Sequence, residues 1–319
     1  MSSKFYAGIS VLIPSYNQRD LLHNAIRSVA NQDYRPIQLI IADNCSDIDL
    51  LSPEEIKKLT INDNIDVLYY RNEMNLGFYR NYRNALEKVN RKYFVYLPSD
   101  DYYTDFTFFR NAIESMENTR DEVNCYVANS LDEQRNSLMM AEFDFGVRNF
   151  TPKQFISGLF NKFHTNHAAI ILNYEKLTLL DYQEKFLTDS EIDYYGFSGD
   201  EGFMFLFLIA SVSSFTVNSK QVVVRGYNKS SYSRSDYWNK NKGICMFLTY
   251  YKFLSGPTKI PKMVRKTIYI WMICKWPVRK FNLELFNKLS GLRFKILYFL
   301  SFVYGKLQGY KGKIVDLLG

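Results

Sequence analysis

The chain has 319 residues, 47% of them apolar and 23% charged, which excludes a disordered or fibrous polypeptide and leaves room for one large core or two modest ones. Its net charge of +7 is unevenly placed: residues 256–319 hold 13 Lys and Arg against Glu284 and Asp316, a net of +11, so the remainder carries −4. The basic character therefore belongs to the C-terminal fifth, and an acidic partner is expected for that stretch alone.

In chain order, residues 9–13 read as a strand ended by Pro14, and residues 19–31 as a helix with Leu22, Ala25, Ile26 and Val29 at helical spacing. Residues 37–43 form a second expected strand. Ser52-Pro53-Glu54-Glu55 then opens a helix by the capping-box pattern, with Pro in the first turn. Residues 65–70 read as a strand, 78–89 as a helix, 93–97 as a strand, 107–118 as a helix and 123–128 as a strand. This alternation predicts an α/β fold on a mixed, mostly parallel sheet flanked by helices. Beyond about Ser130 it weakens: a short helix from Thr151-Pro152, a strand over 168–172, an apolar helix over 202–210 and a strand over 221–224. From about Lys240 the pattern is helical and rich in Lys, Arg and aromatics. Cys45, Cys125, Cys245 and Cys274 are scattered without a CxxC pair, and no signal-peptide pattern opens the sequence. Reduced thiols in a cytoplasmic protein are expected.

Ligands of open α/β sheets sit at the carboxyl ends of strands, and here each of the first four strands ends in a polar cluster. These are Pro14-Ser15-Tyr16-Asn17, then Asp43-Asn44-Cys45-Ser46-Asp47, then Arg71 to Gly77, and finally Pro98-Ser99-Asp100-Asp101. One such loop is ordinary, whereas four in order describe a site.

Together these loops resemble the nucleotide-binding half of family 2 glycosyltransferases, from Ile9 to about Asp105, in order, spacing and strand context. The resemblance implies a GT-A fold. It further implies metal-assisted, inverting transfer of a sugar from a nucleotide-sugar, a UDP-sugar above all, to a lipid-linked or glycan acceptor in O-antigen or capsule synthesis. On that likeness Tyr16, flanked by Pro14 and Asn17, stacks on the base and Asp43 bonds the base edge. Asn75, Gly77, Arg80 and Asn81 would line the diphosphate and sugar, with Arg71 and Arg83 as further cations, although arginines on a helix face are as readily plain solvated charges.

Ser99-Asp100-Asp101 occupies the place of the family's Asp-x-Asp metal motif, which implies Mn²⁺ or Mg²⁺ held by Asp100 with Asp101 in support and Ser99 beside the nucleotide. Pro98 stands where the first Asp of that motif usually falls, so the ribose contact has no counterpart there. The alternative for the acid pair is an N-cap of the helix near Thr107. In-line attack needs a carboxylate to take the acceptor's proton, and Asp200 at the start of the 202–210 helix fits, with Glu201 one residue on as the reserve. Acids also collect at helix starts for dipole reasons. His164, Asn166 and His167 fall where relatives line the sugar pocket, and a structural role is equally open to them, as for His23. Many relatives place a metal-approaching His after the base helix; here residues 225–231 hold none, leaving Tyr227, Asn228 or water.

The catalytic domain is expected over residues 1–240, with 1–105 binding the nucleotide and 106–240 the acceptor, followed by a helical basic extension over 241–319. The apolar stretches 267–274 and 296–304 are too short to span a bilayer. If 285–307 is one helix, Lys288, Lys295, Phe299, Phe302 and Lys306 share a face beside a stripe of Leu289, Ile296, Leu300, Val303 and Leu307, while Gly291 opposes that helix. Such a face suits an anionic membrane surface, and peripheral attachment to the inner face of the cytoplasmic membrane is expected. The competing reading is an appendage packed on the catalytic domain or on another subunit of an oligomer. A nucleotidyltransferase would show a Gly-rich, basic loop after the first strand, which Pro14-Ser15-Tyr16-Asn17 is not. A non-catalytic carbohydrate- or nucleic-acid-binding protein would not need the ordered acidic loops, and no nucleic-acid partner is expected.

Overall fold

The structure is a computed structural model that describes residues 6–118, 125–138, 146–151, 166–175 and 215–228, then 243–244, 246–248, 250–251, 254–255, 262–274, 278 and 283–318. The first half follows the alternation read from the sequence. Strands β1 (Tyr6–Ser15), β2 (Ile37–Asp43), β3 (Ile65–Arg71) and β4 (Arg91–Tyr96) are linked by helices α1 (Arg19–Ala30), α2 (Pro53–Asn62) and α3 (Gly77–Leu86). β1 pairs in parallel with β2 and β4, and β2 with β3. Every residue of β2 is buried, as a parallel strand covered on both faces requires. The capping box at Ser52 is complete: its Oγ accepts from Glu55 N at 3.2 Å, and Glu55 Oε2 accepts from Ser52 N at 2.6 Å.

The chain then adds β5 (Tyr102–Tyr103), α4 (Phe108–Asn118), β6 (Cys125–Asp132), β7 (Ser137–Leu138), β8 (Val147–Phe150), β9 (Ile170–Asn173) and β10 (Phe215–Arg225). Among the described residues these strands complete one mixed sheet in the order β3-β2-β1-β4-β9-β6-β10-β5, with β7 on β6 and β8 on β10. Ala168, expected in a strand, lies instead in a 3-10 turn over His167–Ala169, because Asn166 Oδ1 accepts from Ala168 N at 3.0 Å and caps that turn. β10 is longer than the expected 221–224 and is irregular against β6 between Val217 and Val223. α1 buries Leu22, Ala25, Ile26 and Val29 against the sheet. Cys45 and Cys125 are free thiols. The short helix expected from Thr151-Pro152 and the apolar helix over 202–210 lie outside the described residues.

The backbone divides into two units, one of Met1–Glu184 with Ser211–Asn228, the other of Lys185–Ala210 with Lys229–Gly319. The first holds the sheet. In the second, α5 (Lys262–Cys274), α6 (Leu283–Lys288) and α7 (Leu292–Leu318) are described. The single helix expected over 285–307 is broken: Gly291 takes φ 83°, a left-handed conformation that halts a helix and suits glycine. Leu289 is consequently buried at the break rather than in an exposed stripe. On α7, Leu292, Ile296, Phe299, Leu300 and Leu307 are exposed and Tyr298 and Ser301 buried. At 3.6 residues per turn the exposed set covers roughly 100° of arc. Arg293 donates to Tyr269 Oη at 3.0 Å, and Lys306 lies over the Phe302 ring at 5.5 Å. No described helix is long and apolar enough to cross a membrane.

Candidate donor and metal site

The carboxyl ends of β1, β2, β3 and β4 bring the four polar loops together at the sheet edge, and most of their polar side chains bind one another. Asn17, at φ 55°, ties the first loop to the second: Asn17 N donates to Ser46 Oγ at 2.9 Å, Asn17 Nδ2 to Asp47 Oδ2 at 2.9 Å, and Asp47 N to Asn17 Oδ1 at 2.8 Å. Tyr16 projects beside it, 43% exposed, and is open to stacking. Pro14 is buried in β1 opposite Ala42. Asp43 is fully buried; its Oδ1 accepts from Ser46 N and Oγ at 2.9 and 2.6 Å, and its Oδ2 from Tyr69 Oη at 3.2 Å. Burial and the neighbouring Asp43 charge push the Tyr69 hydroxyl above its ordinary pKa, so it remains a donor.

A chain of amides joins the second loop to the third. Asn44 Nδ2 donates to Asn75 Oδ1 at 2.8 Å, while Asn44 Oδ1 accepts from Leu76 N at 2.9 Å. Asn72 Nδ2 donates to Asn81 Oδ1 at 2.8 Å, and Asn81 Nδ2 to Ala42 O at 3.0 Å. Gly77, at φ 76°, starts α3 with its N–H on Asn75 Oδ1. Asn75 and Asn81 therefore shape the loops. Arg80 and Arg83 are half-buried on α3. Arg71 turns back to the second loop, donating to Asp49 Oδ1 at 3.0 Å and to Ser46 O.

In the fourth loop the two adjacent carboxylates face different surroundings. Asp100 is half-buried. Asp101 is buried, accepting from Asn166 Nδ2 at 2.6 Å through Oδ2 and from Gly226 N at 3.0 Å through Oδ1. Burial, then the Asp100 charge, pushes its pKa up to about 8, against the pull of both donors. A Cβ on Gly226 would overlap the carbonyl oxygen of Asp100, so the end of β10 reaches this loop only as glycine. Ser99 Oγ donates to Gln18 Oε1 at 2.6 Å, at the start of α1. His167 is buried with its ring 5.9 Å from that of Tyr96, and Asn166 is committed to Asp101 and the 3-10 turn. His23 lies on α1 with Nε2 3.3 Å from Glu55 Oε1. His164, Asp200 and Glu201 lie outside the described residues.

No group of three His, Cys, Asp or Glu among the described residues could cage a metal ion. Both Asp101 oxygens accept from protein donors, and the half-buried Asp100 is the other carboxylate of the loop. That donor set fits a hard cation arriving with a diphosphate, since Mg²⁺-type ions bind through one or two carboxylates and substrate phosphates. Sequence reasoning treated the pair as one motif; the partners that distinguish Asp101 are Asn166 and Gly226, 65 and 125 residues away.

The family model described as "Glycosyl transferase family 2" matches residues 10–177, which span β1 to β9 and all four loops. The chain belongs to glycosyltransferase family 2. It is 34% identical over 96 residues to the putative teichuronic acid biosynthesis glycosyltransferase TuaG of Bacillus subtilis, covering 29% of this chain and 36% of that protein. It is 28% identical over 93 residues to the GalNAc(5)-diNAcBac-PP-undecaprenol beta-1,3-glucosyltransferase of Campylobacter jejuni, covering 29% of each. The chain thus matches about a third of the length of these curated relatives. The crystal structure of S. aureus TarS 1-349 in complex with UDP-GlcNAc superposes with a TM-score of 0.62 at 15% identity, over 92% of this chain and 79% of that one. The family 2 chain shares with it the GT-A fold.

Proposed function

We propose that this family 2 protein transfers a sugar from a UDP-sugar to a lipid-linked or glycan acceptor, with inversion and metal assistance, in the synthesis of a bacterial surface polysaccharide. The observation that carries the reading is the convergence of four strand-end loops, braced against one another, around the half-buried Asp100 and the exposed Tyr16. TuaG, named for teichuronic acid synthesis, and the Campylobacter enzyme, named for an undecaprenol-linked substrate, support the polysaccharide setting and the acceptor class.

In this reading Tyr16 stacks on the base beside the Asn17–Ser46–Asp47 clamp, and Arg80 and Arg83 face the diphosphate. Asp100 would hold Mn²⁺ or Mg²⁺, and the ion would supply charge neutralisation for the departing diphosphate. Asp101 positions Asp100 and does not itself bind metal. The acceptor hydroxyl attacks the anomeric carbon in line with the departing phosphate oxygen, and Asp200, with Glu201 in reserve, takes its proton. One C–O bond forms as the other breaks, which inverts the anomeric centre. The exposed apolar arc of α7, flanked by Arg293, Lys295 and Lys306, is the part that rests on an anionic bilayer on the cytoplasmic side.

The deciding experiment is calorimetry of UDP with and without Mn²⁺ on wild type and Asp100→Ala. The expected outcome is a metal-dependent gain in affinity that the variant loses while keeping its fold. An unchanged metal-linked affinity would remove Asp100 from the site, and no UDP binding by wild type would overturn the reading.

A further inference from the structure

Beside the fourth loop the sheet-bearing unit holds a cavity of about 480 Å³ that the donor reading leaves unused. Of the residues assigned to the donor and metal, Asp100 and Asp101 line it, whereas Tyr16, Asp43, Asn75 and Arg80 do not. Its wall on one side is the polar face of α1, where Asn24, Arg27 and Asn31 stand at helical spacing and are exposed. Glu133 and two aromatic residues, Phe106 at 50% and Tyr227 at 42% exposure, also line it. Phe106 is fixed from behind, since its carbonyl accepts from Asp33 N at 2.9 Å. Tyr227 is held likewise by its N–H on Glu133 Oε2 at 2.8 Å.

The chemistry of this lining selects its ligand. Two exposed rings offer flat apolar faces, and two amides, a guanidinium and three carboxylates offer donors and acceptors around them. That combination matches a sugar ring, which presents a C–H face and a rim of hydroxyls. A free phosphate is disfavoured, because without a metal on Asp100 the cavity sets Glu133, Asp100 and Asp101 against a single cation, Arg27. A lipid chain is disfavoured by the polar face of α1. The volume falls within the range of about 300–1,000 Å³ common for small-molecule sites.

We infer that this cavity is a saccharide subsite that holds a neutral sugar of the acceptor glycan, lined by Asp100 and Asp101 of the fourth loop and by no residue of the first three. The inference rests on the transferase reading for the word acceptor; the sugar-binding chemistry stands on the lining alone. It gives α1 a second role: its start braces Ser99 through Gln18, and its outer face grips the glycan.

The test is saturation-transfer NMR on the full chain with cellobiose, maltose and N,N′-diacetylchitobiose as probes, with and without UDP and Mn²⁺. The expected result is transfer to at least one probe that persists when UDP is added. It should weaken by about tenfold in Phe106→Ala, the scale of one lost aromatic contact, and also fall in Asn31→Ala, with UDP affinity unchanged in both. No transfer to any of the three, displacement by UDP, or equal transfer in Phe106→Ala overturns the subsite. If a disaccharide binds as described but UDP does not bind wild type, the transferase reading fails and the saccharide site stands. If UDP binds with Mn²⁺ and no disaccharide does, the reverse holds.

Discussion

Asp101→Asn separates a scaffold from a metal ligand. Charged or neutral, the native carboxyl accepts at both oxygens, from Gly226 N at 3.0 Å and Asn166 Nδ2 at 2.6 Å. An asparagine accepts at one oxygen only, so one of these buried donors must face an NH₂ group. Asn166 cannot turn its amide to compensate, because its Oδ1 already accepts from Ala168 N at 3.0 Å. One stranded buried donor costs about 1–3 kcal/mol, and a unit of this size loses roughly 2–4 °C in Tm per kcal/mol. Thermal unfolding should therefore show a fall of roughly 2–12 °C, while Mn²⁺-linked UDP affinity stays within about threefold of wild type. Asp100→Asn should do the opposite, leaving stability within about 0.5 kcal/mol and abolishing the metal-linked gain. An Asp101→Asn protein of unchanged Tm that has lost its metal dependence would refute the assignment.

Gly226→Ala should destabilise by more than about 1 kcal/mol and weaken metal-linked binding, since its Cβ must displace the Asp100 backbone; urea unfolding and calorimetry check both. Ser52→Ala should cost about 1 kcal/mol without altering UDP binding. Ser52's backbone N–H first, among other causes, holds the Glu55 carboxyl below its usual range, so the box's contribution is present above Glu55's ordinary pKa and is lost as pH falls through the lowered one; acid titration of wild type against Glu55→Gln, which cannot ionise there, reads it. Asp200→Asn should lower transfer by about 10²- to 10⁴-fold with UDP binding intact; near-wild-type transfer, with Glu201→Gln inactive, moves the base by one residue. The full chain should sediment with anionic vesicles at low salt and be released at high salt, and Phe299→Asp with Leu300→Asp should abolish this; binding unaffected by salt or by the substitutions refutes an α7 membrane face.

What could be read in the sequence was whatever depends on near neighbours. β1 to β4 follow from runs of apolar residues, and α2 announces itself through Ser52, Pro53 and Glu55. The loops around the donor were legible because strand ends gather polar residues. β5, two residues long, and β7, also two, lacked the length to show a period. Gly291 was visible as an obstacle, yet only its positive φ divides α6 from α7 and turns Phe299 outward with Ile296 and Leu300. The roles of Asp101, Asn166 and Gly226 arise from partners far apart in the chain, and the cavity beside α1 needs Phe106 and Tyr227 brought to the same lining as Asn24 and Asn31.

The amide chain of Asn44, Asn72, Asn75 and Asn81 has one further consequence. None of these side chains gains or loses a proton between mild acid and mild alkali, so the bonds these four amides make persist throughout that range. Aspartates in the same places would have bound one another only while sharing protons. A pH profile of turnover therefore carries no contribution from these amides, whereas Asp101 of the fourth loop, its pKa pushed up to about 8, titrates inside that range.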